Sequence, residues 1–168
     1  MMAGISGADL PAIGGAWRGG NYIGDIVDGG VTYHLVLAPK ATGQQFGLTW
    51  KTTATDDTGA DSTTNGLANS NALNDVSHPA AQFCRGLTIG GFNDWYLPAK
   101  DELNVVYTNR ASVGGGDALD VDTTYYWAST ESNSTQAWLQ RFSDGNASGG
   151  TKNTASFCRL RAIRRVPA

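Results

Sequence analysis

The chain has 168 residues, of which 40% are hydrophobic and only 16% charged, with 22 glycines and a net charge of −3. That length suits one domain with a sizeable core, while the charged share falls well below the usual quarter. The balance disfavours non-specific binding to nucleic acid or an anionic membrane, and no apolar run approaches the length of a membrane span. The missing charge is replaced by Gly, Ser, Thr and Asn, a surface that hydrogen-bonds without strong fields. The last ten residues are the exception, carrying Arg159, Arg161, Arg164 and Arg165. The opening Met1-Met2-Ala3-Gly4-Ile5-Ser6-Gly7 lacks a basic region followed by an apolar run, so no secretory signal is expected.

Residues 1–20 are rich in Gly and Ala and read as a lead-in to a domain over 21–168. Val31 to Ala38 is dense in strand formers, follows the turn signal Asp28-Gly29-Gly30 and ends at Pro39. Leu48-Thr49-Trp50-Lys51 reads as a second short strand, and 52–66 as a long polar loop. Asn65 to Asn74 reads as a weak helix. His78 to Leu87 is a better one, with Pro79 in the first turn and Ala80, Phe83, Cys84 and Leu87 at helical spacing. The next helix starts after Pro98, with Leu103, Val106 and Tyr107 on one face and Asp101 and Glu102 where the macrodipole favours anions. A second long loop covers 111–124. Strands are expected at Tyr125–Ser129, Ala137–Phe142 and Phe157–Val166, with a turn at Asp144-Gly145 and a loop to Thr154. Alternation in the last strand fails at Ile163.

Catalytic chemistry is poorly served. His34 sits inside an apolar strand, and His78 precedes Pro79 and shapes a helix start. No cluster has zinc spacing, there is no G-x-S-x-G elbow, and Ser129-Thr130-Glu131 lacks a neighbouring base. The acidic loops Asp56, Asp57, Asp61 and Asp117, Asp120, Asp122 could hold calcium, but neither matches the EF-hand ligand pattern; solvated loops are the alternative. Cys84 and Cys158 are either bridged or two buried free thiols. The terminal arginines are a phosphate patch or partners of carboxylates such as Glu131 or Asp94. No catalytic residue, metal or cofactor is therefore expected.

Binding is better served. The stretch from Ser132 to Thr154 is dense in small amide and hydroxyl side chains, like the adaptable polar part of a paratope. The candidate ligand-binding residues are Asn133, Ser134, Gln136, Trp138, Gln140, Arg141, Ser143, Asn146, Lys152 and Asn153. An ordinary hydrophilic hairpin surface is the competing reading. Trp95 and Trp127 are core aromatics, and Trp138 is expected to be partly exposed.

Gly91-Phe92-Asn93-Asp94-Trp95-Tyr96-Leu97-Pro98, with Glu102-Leu103 downstream, resembles the G-[FY]-x-D-W-x-L-P-[ST]-x-x-E-L signature of the Lcl C-terminal-like domain family. Tyr126-Trp127-Ala128-Ser129-Thr130-Glu131 and Ala137-Trp138 are similar to its next blocks. The resemblance implies an α+β, C-type lectin-like fold with two or three helices, small antiparallel sheets and long polar loops. That fold is related to formylglycine-generating enzymes. His78-Pro79-Ala80-Ala81-Gln82-Phe83-Cys84 and the terminal Arg-Ala-Ile-Arg-Arg look like the phage tail-fibre branch. Ala99 departs from the family pattern, standing where a capping Ser or Thr is usual. The second cysteine is Cys158, where many relatives have one at the position of Ala162.

The resemblance implies a non-enzymatic display domain of a phage tail fibre or surface adhesin, at the fibre tip of a virion or on a cell surface. Its partner would be a host cell-surface protein or glycan, with sister subunits or other tail proteins as further contacts. If it is the variable protein of a diversity-generating retroelement, variation would lie between Ser132 and Arg161. The alternatives are a formylglycine-generating-type oxidase, which needs a copper-binding cysteine pair, and a structural fibre cap.

Overall fold

The computed structural model describes residues 9–154 and 157–168; residues 1–8 of the lead-in and 155–156 of the polar C-terminal stretch lie outside the described residues. The chain forms a mixed α+β domain. A four-stranded sheet runs in the order β1 (Ala16–Trp17), β2 (Gly20–Asp28), β3 (Val31–Leu37), β9 (Ile163–Pro167). A five-stranded sheet runs β4 (Gln44–Phe46), β8 (Cys158–Arg161), β5 (Tyr125–Asn133), β6 (Gln136–Arg141), β7 (Ala147–Thr151). Among the described residues there are four α-helices, three of them of seven or more residues: α1 (Lys40–Gly43), α2 (Gly66–Ala72), α3 (Pro79–Arg85) and α4 (Lys100–Asn109).

The last strand pairs with β3, with Leu37 opposite Ile163 and Tyr33 opposite Pro167. Strand β3 is not the first strand. The unassigned stretch before it forms β2, which turns back through Asp28-Gly29-Gly30. A bulge at Gly24, φ +125°, carries β2 past α4, and Asn109 Nδ2 donates to the Ile23 carbonyl at 2.7 Å.

Three strand expectations need correcting. Leu48–Lys51 is not a strand, because its backbone is satisfied piecemeal: Ala80 N donates to Thr49 O at 3.2 Å and Lys51 N to Lys152 O at 3.0 Å. The loop expected up to Thr154 contains β7, an edge strand of small residues paired with β6. Phe157–Val166 is two strands in two sheets. The break falls at Ala162, whose N–H donates to Gly43 O at 2.9 Å and whose carbonyl accepts from Ala38 N at 3.0 Å. The failed alternation at Ile163 marks that crossing.

Two apolar clusters fill the interior. One holds Trp50, Trp95, Trp127, Leu139 and Leu160; the other holds Ile23, Leu35, Tyr96, Leu103, Tyr126 and Phe142. Helix α4 packs against β2 of one sheet and β5 and β6 of the other. Its N-terminus is capped without the missing Ser or Thr. Lys100 N donates to Thr130 Oγ1 at 2.9 Å and Asp101 N to Thr63 O at 2.8 Å.

Glu102 supplies the other half of the cap from a fully buried position. Its Oε2 accepts from Ala99 N at 2.9 Å and Gly66 N at 3.0 Å, and its Oε1 from Tyr96 Oη at 2.8 Å. Burial outweighs these bonds and pushes the carboxyl up to about 7. A carboxylate whose folded pKa lies above its unfolded value stabilises the fold fully below the unfolded pKa, and that contribution is lost as pH rises through the folded one. Glu102→Gln is therefore expected to gain stability relative to the parent between pH 4.5 and pH 7, by up to about 3 kcal/mol. Urea midpoints across that range are the check; a pH-independent difference between the two proteins defeats the assignment.

Candidate functional site

The candidate residues sit on the β5–β6–β7 meander, and its pairing separates them into two groups. Asn133 opposite Gln136 closes the first turn. The Asn133 Oδ1 accepts from Thr135 N and Gln136 N, both at 3.0 Å, an Asx arrangement that fixes the tip locally. Asn133, Ser134, Gln136 and Asn153 gather at this end. At the other end, Gln140 stands opposite Ala147, and the Asp144 carboxylate holds Arg141 and accepts from Asn146 N at 3.1 Å. Arg141, Ser143 and Asn146 belong here. Strand β6 between the groups spans roughly 17 Å. Asn133, Ser134, Ser143, Asn146 and Asn153 are exposed, whereas Gln136, Trp138 and Arg141 are half-buried.

Lys152 is a correction. Its side chain has 0% exposure and is no contact residue. The ammonium donates to Asp57 Oδ2 at 3.0 Å, Thr55 O at 2.7 Å and Ser134 O at 3.3 Å, and lies 3.0 Å from Glu131 Oε1. Asp57 also accepts from Lys51 Nζ at 2.7 Å and bonds His78 Nε2 at 2.9 Å. Burial works to raise the Asp57 carboxyl, but its bonds to Lys51, Lys152 and His78 prevail and hold it below the usual range. Burial raises Glu131 despite Lys152. Trp50 closes the cluster, with His78 edge-on at 5.7 Å and Lys152 Nζ 4.9 Å from its ring centroid. This network ties the polar loop after Trp50 to the first hairpin end, so the exposed tip rests on a fixed root. Buried charge of this kind persists only when paired and hydrogen-bonded.

Gln140 is also buried, but it lines a pocket of about 210 Å³ together with Lys100, Asp101, Leu103, Asn104, Ala128, Trp138, Leu139 and Ala147. Gln140 Nε2 donates to Asn104 Oδ1 at 2.9 Å and Gly145 O at 3.2 Å. The Lys100 ammonium lies 3.7 Å from the Trp138 ring centroid, a cation–π contact of about 0.5–1 kcal/mol at a partly exposed site. Sequence reasoning singled out Trp138 and Gln140 but missed the α4 side of this pocket. The signal was the i, i+4 spacing of Lys100 and Asn104, which stacks two polar side chains on one helix face.

The remaining candidates are structural. Arg164 pairs with Asp94 at 2.6 and 2.8 Å, Arg165 with Asp28 at 3.3 Å, and Arg159 with Asp122 at 2.8 and 2.9 Å. Glu131 meets Lys152, not an arginine. Arg161 is buried and donates to Ala38 O, Gln44 Oε1 and Asp117 O. Three of the six acidic-loop residues pair with cations: Asp57 as above, Asp120 with Lys40 at 2.6 Å and Arg159 at 3.3 Å, and Asp122 with Arg159 at 2.8 Å. Among the described residues, no group of three or more His, Cys, Asp or Glu is placed to hold a metal. Cys84 and Cys158 are free thiols, both buried, and burial pushes both up, Cys158 to about 12.

Among the described residues, no helix is long and apolar enough to cross a membrane. No curated protein matches the chain. Among solved structures, a fimbrial protein from Bacteroides ovatus is similar at a TM-score of 0.50 and 16% identity, over 77% of this chain and 35% of that one. The chain therefore spans about a third of that protein's length, and the likeness is one of fold. The family model of the Lcl C-terminal domain matches residues 41–164, from within α1 into β9, and the chain belongs to that family.

Proposed function

We propose that this domain is a non-enzymatic, adhesin-type binding module displayed at a surface, with a C-type lectin-like fold. The observation that carries this reading is the first end of the meander. Asn133, Ser134 and Asn153 are exposed polar side chains whose supporting strands are anchored through the buried Lys152 network. A rigid root with an adaptable polar tip lowers the ordering cost of binding. The fold likeness to a fimbrial protein supports a surface role. A thiol oxidase is disfavoured, because both cysteines are buried with thiols pushed up, and copper binds the thiolate.

The partner on this reading is a host cell-surface protein or glycan. Fluorescently labelled protein is expected to bind a panel of intact bacterial cells saturably. The triple variant Asn133→Ala, Ser134→Ala, Asn153→Ala should weaken that binding at least about tenfold, at a stability cost of about 1 kcal/mol from the Asn133 turn bonds it removes, with the domain still folded. Equal binding by parent and variant refutes the assigned contact end.

A phage tail-fibre tip is the finer version, supported by the sequence words around His78–Cys84 and the terminal arginines. Retroelement diversification requires a near-copy of the segment coding 132–165 beside a reverse transcriptase, differing mainly at adenines. Sequencing the gene's neighbourhood tests it.

A further inference from the structure

We propose that the pocket over Trp138 binds the ring of a neutral, hydroxyl-rich sugar, with the Lys100 side chain as a movable cover. This rests on the reading of the domain as a surface binding module, and it adds a ligand subsite in the middle of β6 to the contact at the meander's end. The indole N–H groups of Trp50, Trp95 and Trp127 each donate to a backbone carbonyl, at 2.9, 3.0 and 3.2 Å. That of Trp138 has no acceptor among the described residues, and its half-buried ring lines a pocket.

The polar groups around it are fixed in complementary senses. Because Gln140 Nε2 is committed to Asn104 Oδ1 and Gly145 O, the Gln140 carbonyl oxygen remains as an acceptor and the Asn104 amide nitrogen as a donor. Asp101 adds a carboxylate, for which the described residues provide no side-chain partner. Each sugar hydroxyl both donates and accepts, so a ring bearing several of them satisfies this mixed set. Leu103, Ala128 and Ala147 supply an apolar wall for its C–H face. The volume of about 210 Å³ corresponds to about seven waters' share of liquid, the scale of one ring rather than a chain.

The lining carries one charge of each sign, Lys100 and Asp101, so it offers no net charge to draw in an anion or a cation. The Lys100 ammonium at 3.7 Å over Trp138 occupies the ring face a sugar would stack on, and its flexible stem allows it to swing clear.

The test is a two-dimensional ¹H–¹⁵N NMR titration of the full chain with the methyl glycosides of glucose, galactose, mannose and N-acetylglucosamine. The Trp138 indole signal is identified by its loss in Trp138→Phe. At least one glycoside is expected to move it saturably. Asp101→Ala and Asn104→Ala should weaken binding at least about tenfold, Lys100→Ala should tighten it severalfold, and Gly116→Ala, where a Cβ meets nothing within 4 Å, should leave it unchanged. Failure of all four glycosides to move the signal overturns the proposal, as does a shift indifferent to Asp101 and Asn104. If the glycosides fail while cell binding still depends on Asn133, Ser134 and Asn153, the pocket is refuted and the surface-binding reading stands. If cell binding also proves indifferent to those residues, both are refuted.

Discussion

Replacing Lys152 by methionine is expected to destabilise the domain by about 3–5 kcal/mol at neutral pH. Methionine keeps most of the buried stem but removes the ammonium that sits between Asp57 and Glu131. Lys51 and His78 still reach Asp57, whereas Glu131 loses its cation. The Thr55 and Ser134 carbonyls lose a donor as well. Two carboxylates left facing each other in a buried setting relieve the strain by taking up a proton, so the deficit should shrink as pH falls toward the carboxylate range. Adding Glu131→Gln to Lys152→Met removes the uncompensated charge and should recover part of the loss. Urea unfolding of the single and double variants at neutral and acidic pH measures all of this. A deficit below about 1 kcal/mol would show that the cluster behaves as a solvated surface pair. The same variant should also weaken cell binding, because the Ser134 carbonyl is one of the groups the ammonium holds.

Helices α2, α3 and α4 were legible in the sequence because their signals are local, whereas the four-residue α1 was not. Pro79 does open α3, and Leu103 and Val106 do face the core from α4. The aromatic words were legible as core for the same reason, since Trp95 and Trp127 are fully buried. What was not legible depended on partners far away in the chain. Strand β7, Ala-Ser-Gly-Gly-Thr, has no strand propensity of its own; its glycines are there because a Cβ at Gly150 would stand 2.2 Å from Leu139 Cδ2 and 3.1 Å from Trp127 Cη2. The arginine-rich terminus read as one strand because alternation reports a face, not which sheet the face belongs to. Lys152 read as a surface residue because lysine nearly always is. Only the fold brings Asp57, 95 residues upstream, into contact with it. The pocket was half visible for a similar reason: β6 supplies Trp138 and Gln140, but α4 supplies the rest.

These two kinds of residue divide the labour of the meander. Its buried charges fix the geometry, and its exposed amides and hydroxyls are left without structural duty beyond their own turns. A surface that must change its contacts without unfolding needs that separation, since substitutions away from buried networks usually alter stability by less than about 0.5 kcal/mol. Asn146 meets the condition, Asn133 meets it less well because its side chain holds its own turn, and Gln140 and Lys152 do not.

Gly66→Ala is the second substitution expected to have a large effect, and helix propensity gives the opposite sign. Gly66 is the first residue of α2, and alanine in a helix is favoured over glycine by about 1 kcal/mol. Here a Cβ would lie 2.5 Å from Ala99 N, 2.5 Å from Glu102 Oε2 and 2.7 Å from Leu97 O. Two of those atoms are backbone and cannot rotate away, and the third is the buried carboxylate that accepts from Gly66 N itself. To fit a methyl group, α2 must withdraw from the start of α4, which stretches that bond and disturbs the cap that Glu102 provides. Overpacking of this kind costs about 1–3 kcal/mol, and the weakened buried hydrogen bond adds about 1 kcal/mol more. Less the propensity gain, a net loss of about 2 kcal/mol is expected, read as a lower urea midpoint at pH 7. Gly116→Ala, where a Cβ meets nothing within 4 Å, serves as the control and should stay within about 0.5 kcal/mol of the parent. If Gly66→Ala instead raises the midpoint, propensity has won, and the close approach of α2 to α4 is looser than the packing around Glu102 requires.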